Sequence, residues 1–400
     1  MTTPEQLAAL HTPAGEEALR AAARLVAGDP LAAVSALRAR GVPPDLAATA
    51  LTQARLRARA TAKFGADAAR MFFTESGLEQ ATRAVVARRR AQRLAGAGVR
   101  ELVDVCCGIG ADTVAAARAG IRVRAVDADP AAVAVAAANV SALGLADLVT
   151  VELGRAEDID LSAVSAAFCD PSRRRHRSGR RVFDPNAFSP PWSFVSRLVR
   201  TVPRTVLKLA PGVDHALIPD GAEAEWVSVD GDLVEAAFWC GPLAAVPRRA
   251  SVLRTDGPDR LARVAELTGD GRRQAPSGPV RTYLLDPDPA VVRAHLVAEL
   301  ADRVGGNLAD PAIAYLYADD PPPTPFARVL RVDEALPFSV RRLRAALRAR
   351  DVGRVEIMKR GSAVDPERLR RDLRLTGDAD ATVVLTRVAG SPTALVCHRV

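Results

Sequence analysis

The chain has 400 residues, 48% hydrophobic and 26% charged, which excludes a disordered chain and suits two or three globular domains. Its formal net charge is +8; Leu51–Arg100 alone carries 11 Lys+Arg and 3 Asp+Glu, and 11 − 3 = +8. Positive charge so localised suits a polyanionic partner such as nucleic acid, the other reading being the solvated helix faces of an arginine-rich protein.

The first twenty residues carry neither a basic nor an apolar leader segment, and no apolar run reaches membrane-spanning length, so a soluble cytoplasmic protein is expected. Residues 1–95 read as a helical region, with apolar residues at three- and four-residue spacing. Gly41-Val42-Pro43-Pro44 breaks it, with Asp45 as a candidate N-cap, and Thr74–Leu94 reads as one helix with a basic face. From residue 96 to 245 short strands and helices alternate: RELVDVCC, ADTVAAARAG, IRVRAVDA, DPAAVAVAAANVSALG, LVTVELG, VSAAFCD and RTVLKLAPG. That rhythm predicts a parallel sheet with helices on both faces, followed by a hairpin across Asp230-Gly231. Residues 246–320 read as an irregular β extension and linker, ending in Asp319-Asp320-Pro321-Pro322-Pro323. Residues 321–400 read strand, helix, strand, helix and two closing strands, a small second α/β domain.

The stretch Leu102–Gly120, LVDVCCGIGADTVAAARAG, carries the chemistry. A strand runs into a turn with Gly108 and Gly110, and a helix follows, so backbone and helix N-terminus are open to a ligand. The next strand ends at Asp127, 127 − 110 = 17 residues past Gly110, the place for a carboxylate that accepts from ribose hydroxyls. A dinucleotide site wants G-x-G-x-x-G, and Thr113 holds the third glycine position, which makes a nicotinamide-dependent dehydrogenase a poor match. S-adenosylmethionine instead calls for D-x-x-x-G-x-G, met by Asp104, Gly108 and Gly110; its ammonium and sulfonium favour a nearby carboxylate. An empty βαβ turn is the remaining reading.

Leu102–Trp239 resembles a class I S-adenosylmethionine-dependent methyltransferase. The resemblance implies a Rossmann-like sheet with an N-terminal helical region, and S-adenosyl-L-methionine held by Asp104, Cys106, Gly108 and Gly110, with Asp127 and Ala128 at the ribose. The loop GRAEDI then contacts adenine; Arg155 stands where many members have Asp, which moves that role to Glu157 or Asp158. FFTESGLEQATRAVVARRRAQRL, VDVCCGIGAD, CDPSRR and VLKLAPGVD resemble a bacterial group of methyltransferases with a THUMP-like C-terminal domain, and the tail Leu347–Val388 looks like that domain. RNA is the substrate this resemblance implies, and the core is similar to enzymes that methylate the exocyclic amine of guanine.

Such enzymes place (D/N)-P-P-(Y/F/W) after the fourth strand, where an acid and a proline carbonyl accept hydrogen bonds from the target amine. Here Asp170 and Pro171 match, while Ser172 and Arg173 do not. Arg173 and Arg174 are expected to stack on a base or grip phosphate, with a solvated loop as the alternative, and Lys208 is a further substrate-binding candidate. Phe183, Phe188 or Trp192 is a candidate stacking platform, and Pro190-Pro191-Trp192 lacks a preceding Asp or Asn. Cys169 precedes Asp-Pro rather than following a proline, which favours a core cysteine over a covalent thiolate. Five cysteines without a C-x-x-C pair, and five scattered histidines, indicate no disulfide framework and no metal site. The departures at Arg155 and Ser172 leave one competing function: a nucleic-acid-binding protein with a degenerate, inactive methyltransferase core.

Overall fold

The computed structural model describes residues 3–173 and 188–400 and divides into two compact units. The first comprises residues 1–223, 237–245 and 254–263, and the second residues 224–236, 246–253 and 264–400.

The chain begins with six helices: α1 (Pro4–Leu10), α2 (Pro13–Ala23), α3 (Pro30–Ala39), α4 (Pro44–Phe64), α5 (Glu75–Gln80) and α6 (Ala84–Gly96). Their starts are written in the sequence: Thr3, Thr12 and Asp29 cap the first three through side-chain oxygens, each followed by proline at the first helical position. The single helix expected over Thr74–Leu94 is instead two, because Ala81 leaves the helical backbone with ψ 138°.

The α/β part follows as β1 (Glu101–Val105), α7 (Ala111–Arg118), β2 (Arg122–Asp127), α8 (Pro130–Ala142), β3 (Val149–Leu153) and β4 (Ala166–Cys169). Two-residue strands β5 (Ser172–Arg173) and β6 (Phe188–Ser189) pair with each other, and α9 (Trp192–Thr201) leads into β7 (Arg204–Leu209). Parallel pairing orders the first unit's strands β3-β2-β1-β4-β7, the expected Rossmann-like arrangement. The strand order reverses between β1 and β4, and in open α/β sheets ligands bind at that switch point, outside the carboxyl ends of the strands.

The helical region does not have a core of its own. Leu10, Leu37, Leu51, Phe64, Phe72 and Phe73 share one apolar cluster with Ile109 of the glycine turn, Val114 of α7 and Val135 of α8. Each such buried side chain contributes about 1.5–3 kcal/mol, so the helices and the ligand-facing turn stabilise one another.

The remaining elements are β8 (Glu223–Val229), β9 (Asp232–Trp239), β10 (Arg248–Thr255), β11 (Leu261–Gly269), β12 (Tyr283–Pro287), α10 (Pro289–Arg293), α11 (Val297–Val304), β13 (Asn307–Leu308) and β14 (Leu316–Ala318). Then come β15 (Ala327–Pro337), α12 (Val340–Arg348), β16 (Val352–Lys359), α13 (Pro366–Leu373), β17 (Ala379–Val388) and β18 (Ser391–Arg399). Asp230 and Gly231, both at positive φ, make the expected turn between β8 and β9. In the second unit a seven-stranded sheet runs β13-β14-β12-β15-β18-β17-β16, antiparallel except for β16 and β17. Strands β17 and β18 alternate: Val383, Leu385, Ala394 and Val396 face Leu343 and Leu369 of α12 and α13, while Val384, Leu395 and Cys397 pack with Tyr315 and Leu330.

Candidate active site

Beyond Val105 the chain turns through Cys106, Gly108 and Gly110, at φ 65°, 55° and 82°, and enters α7. The Cys106 and Cys107 amides donate to the Val126 carbonyl at 2.9 and 3.2 Å, which hooks the turn onto β2. Glycine serves two ends here: a Cβ on Gly110 would press against Ala136 at 3.4 Å, while one on Gly108 would enter open space. That open space lies over backbone amides at the head of α7, where a ligand is free to approach. Asp127 stands beside it, half-buried, and accepts from the Gly108 amide on one oxygen and the Asp129 amide on the other, both at 2.9 Å. The remaining lone pairs of this fixed carboxylate suit the two hydroxyls of a ribose.

Asp104, one residue before the end of β1, is 1% exposed. The Thr113 hydroxyl donates to Oδ2, and Oδ1 has no partner among the described residues. Burial pushes this carboxyl up to about 8, the nearby carboxylates of Asp112, Asp170 and Asp127 add to the rise, and the Thr113 hydrogen bond opposes it. A buried acceptor without a donor is costly unless a ligand supplies one. An ammonium group fits that need, so Asp104, the open glycine turn and Asp127 together fit S-adenosylmethionine.

The register Val103↔Ala167 through Val105↔Cys169 brings the tip of β4 beside this turn. The Asp170 amide donates to the Val105 carbonyl at 3.3 Å, Pro171 is buried, and the Asp170 carboxylate is ion-paired with Lys208. Lys208 therefore acts first on Asp170. Ser172 and Arg173 continue as backbone partners of Ser189 and Phe188. The Arg173 side chain, Arg174 and Phe183 lie outside the described residues. The rings of Phe188 and Trp192 stand 5.5 Å apart, but Phe188 is buried and packs rather than offering a platform.

The loop after β3 is tied to the end of β2 by the Gly154 amide, which donates to the Asp127 carbonyl at 3.0 Å. Glu157 is half-buried and paired with Arg155 at 3.2 Å; Asp158 and Ala128 are exposed. Leu153, 60% exposed and in register with Asp127, adds an apolar surface beside these groups.

Sequence reasoning missed the frame behind the site. Asp112, in the first turn of α7, is ion-paired with buried Arg90 of α6 and accepts from the Thr82 hydroxyl at 2.6 Å. The Arg90 guanidinium in turn lies 4.7 Å from the centre of the Phe168 ring on β4. Asn139 of α8 is fully buried, donates to the carbonyls of Phe72 and Ile109, and accepts from the Phe72 amide at 2.6 Å. A buried amide inside an alanine-rich helix was the one legible signal for Asn139; Arg90 was hidden in a run of arginines.

Residues 99–199 match a family described as RNA cap guanine-N2 methyltransferase, residues 327–399 a THUMP domain-like family, and residues 3–60 a domain of unknown function. The chain is 38% identical, over 86% of its length and 94% of theirs, to an uncharacterised S-adenosylmethionine-dependent methyltransferase recorded from two strains of Mycobacterium tuberculosis. A crystal structure from Porphyromonas gingivalis W83, of a protein assigned as a methyltransferase, aligns with 96% of this chain and 98% of its own. Its TM-score is 0.73 at 19% identity, which is a likeness of fold.

Proposed function

The chain belongs to the S-adenosylmethionine-dependent methyltransferases, and we propose that the group it methylates is an exocyclic amine of a base in RNA. The observation that carries this reading is the position of Asp170-Pro171 at the tip of β4, bonded to the end of the cofactor strand β1. An aspartate followed by proline at this place offers a carboxylate and a backbone carbonyl as two acceptors for one amino group. RNA as the carrier of that amine is supported by the matches of residues 99–199 and 327–399 and by the basic window Leu51–Arg100.

The cofactor supplies an electrophilic methyl group on a sulfonium sulfur. Asp104 would hold its ammonium group and Asp127 its ribose hydroxyls, and the glycine turn would let backbone come close. Asp170 and the Pro171 carbonyl hold the amine so that its lone pair points at the methyl group, and such positioning is worth several kcal/mol of the barrier. The Lys208 ammonium is ion-paired with Asp170 and keeps it aimed, and the amine proton leaves along its hydrogen bond to Asp170. No strong base is required.

Mass spectrometry of nucleosides from wild-type and deletion-strain RNA tests the reading. One amine-methylated nucleoside is expected to vanish from the deletion strain and return with the wild-type gene, but not with Asp170→Ala. An unchanged nucleoside profile rejects RNA as the substrate.

A further inference from the structure

Cys106 and Cys169 lie at the ends of adjacent parallel strands, on either side of the site. Cys106 is the first residue beyond β1 and is half-exposed in the glycine turn; Cys169 ends β4, fully buried, one residue before Asp170. Val105 pairs with Cys169 in the strand register, which sets Cys106, the next residue, diagonally across from Cys169, and the two thiols are near enough to interact. Neighbouring strands stand about 4.8 Å apart, within the span a disulfide bridges. Both cysteines are free thiols, and Cys107 is directed elsewhere, its thiol 3.9 Å from the Gly108 carbonyl.

We propose that Cys106 and Cys169 are a peroxide-sensitive pair whose disulfide switches off cofactor binding. The Cys106 sulfur, the accessible one, attacks hydrogen peroxide; the O–O bond breaks, Cys106 becomes a sulfenic acid, and the thiol proton leaves with the released hydroxide as water. The Cys169 sulfur then attacks the Cys106 sulfur, the S–O bond breaks, and the Cys169 proton departs with the hydroxyl as a second water. Two thiols and one peroxide thus give one disulfide and two waters, with two electrons passing from sulfur to oxygen. The order follows from access: the contact with Cys106, and then burial, keep the Cys169 thiol protonated well above its ordinary range, so it suits the second step.

The consequence is geometric. A disulfide draws the sulfurs to about 2 Å, well inside the contact distance of two separate thiols. Cys106 already sits at φ 65°, and its amide hooks the turn to Val126, so pulling it toward β4 moves Gly108 and the amide that fixes Asp127. The same pull acts on Asp170, the next residue after Cys169.

The test uses the full-length protein treated with hydrogen peroxide and digested with trypsin without reduction. Cleavage leaves Cys106 and Cys107 in Glu101–Arg118 and Cys169 in Ala156–Arg173, and fragmentation tells Cys106 from Cys107. The expected result is a linked pair of these peptides joined at Cys106, together with loss of S-adenosylmethionine binding by calorimetry that dithiothreitol restores. Cys169→Ala, checked for folding by its thermal melt, should give no linked peptide, and whatever binding peroxide removes from it should not return with dithiothreitol. Loss of wild-type binding without the linked peptide overturns the proposal, as does a linked protein that still binds the cofactor.

Discussion

Lys208, one residue before the end of strand β7, is ion-paired with Asp170 just past the end of β4; the side chains are 13% and 32% exposed. The register Cys169↔Leu207 sets the two residues side by side, so the pair is a consequence of strand alignment. In the proposed reaction, the acid that accepts from the amine is thereby held in one orientation before the substrate arrives.

Asp170→Ala should lower methyl transfer by roughly 100-fold or more while leaving cofactor affinity near wild type, since positioning of the amine is lost. Lys208→Met should lower kcat in the same direction by a smaller factor, and Lys208→Arg should recover part of it. Steady-state kinetics beside calorimetry separate the two effects. Wild-type kcat in Lys208→Met would show that the ion pair does nothing for the reaction.

Asp104 gives the ligand-free protein a pH dependence. Its folded carboxyl is raised from 3.8 to about 8 by burial, so between those values the folded state holds a proton the unfolded state has lost. Stability from this group is therefore fully present below about pH 4 and lost as pH rises through about 8. Thermal melts of Asp104→Asn over this window should show a flatter profile than wild type and a higher melting temperature at pH 8. The same variant should bind S-adenosylmethionine weakly. A wild-type profile that rises from pH 5 to 8 relative to the variant would contradict the assignment.

Arg90→Ala should destabilise the fold by about 3–5 kcal/mol, because it leaves the Asp112 carboxylate in a buried place without its cation. Urea unfolding measures it. The double variant Arg90→Ala with Asp112→Ala should recover part of the loss, and a single-variant cost under 1 kcal/mol would mean that water reaches the pair.

Gly77→Ala tests the joint between α5 and the glycine turn. A Cβ at Gly77 would collide with Ile109 Cγ2 and the Thr74 hydroxyl, so Ile109 must shift, and with it the neighbouring Gly108 and Gly110. Overpacking of this kind costs about 1–3 kcal/mol, and here part of it should appear as weaker cofactor binding. Equal S-adenosylmethionine affinity in wild type and variant would show that the turn is insulated from the helices.

Much of the site was legible because it is local. Asp104, the Gly108 and Gly110 turn and Asp127 lie within 24 residues, and a strand, a tight turn and a helix start in sequence order bring them together. The closing strands β17 and β18 were equally readable, since each buries both faces against different partners and so carries a continuous apolar run. The single helix expected from Thr74 to Leu94 was not. Its periodicity is helical throughout, but the Lys63 ammonium takes the carbonyls of Leu78, Glu79 and Ala81, and Thr82 is turned toward Asp112. Those contacts outweigh a propensity that is worth only fractions of a kcal/mol per residue.

The chain order of β1, β2, β3 and β4, with an acid or glycine at each tip, is therefore a property of the sequence alone. The partners of those tips are not. Lys208 reaches Asp170 across 38 residues, Arg90 reaches Asp112 across 22, and Asn139 joins Phe72 across 67. Local periodicity specifies which face of a strand or helix is apolar, but the pairing of two buried polar groups depends on how separate elements are stacked, and only the packed core decides that.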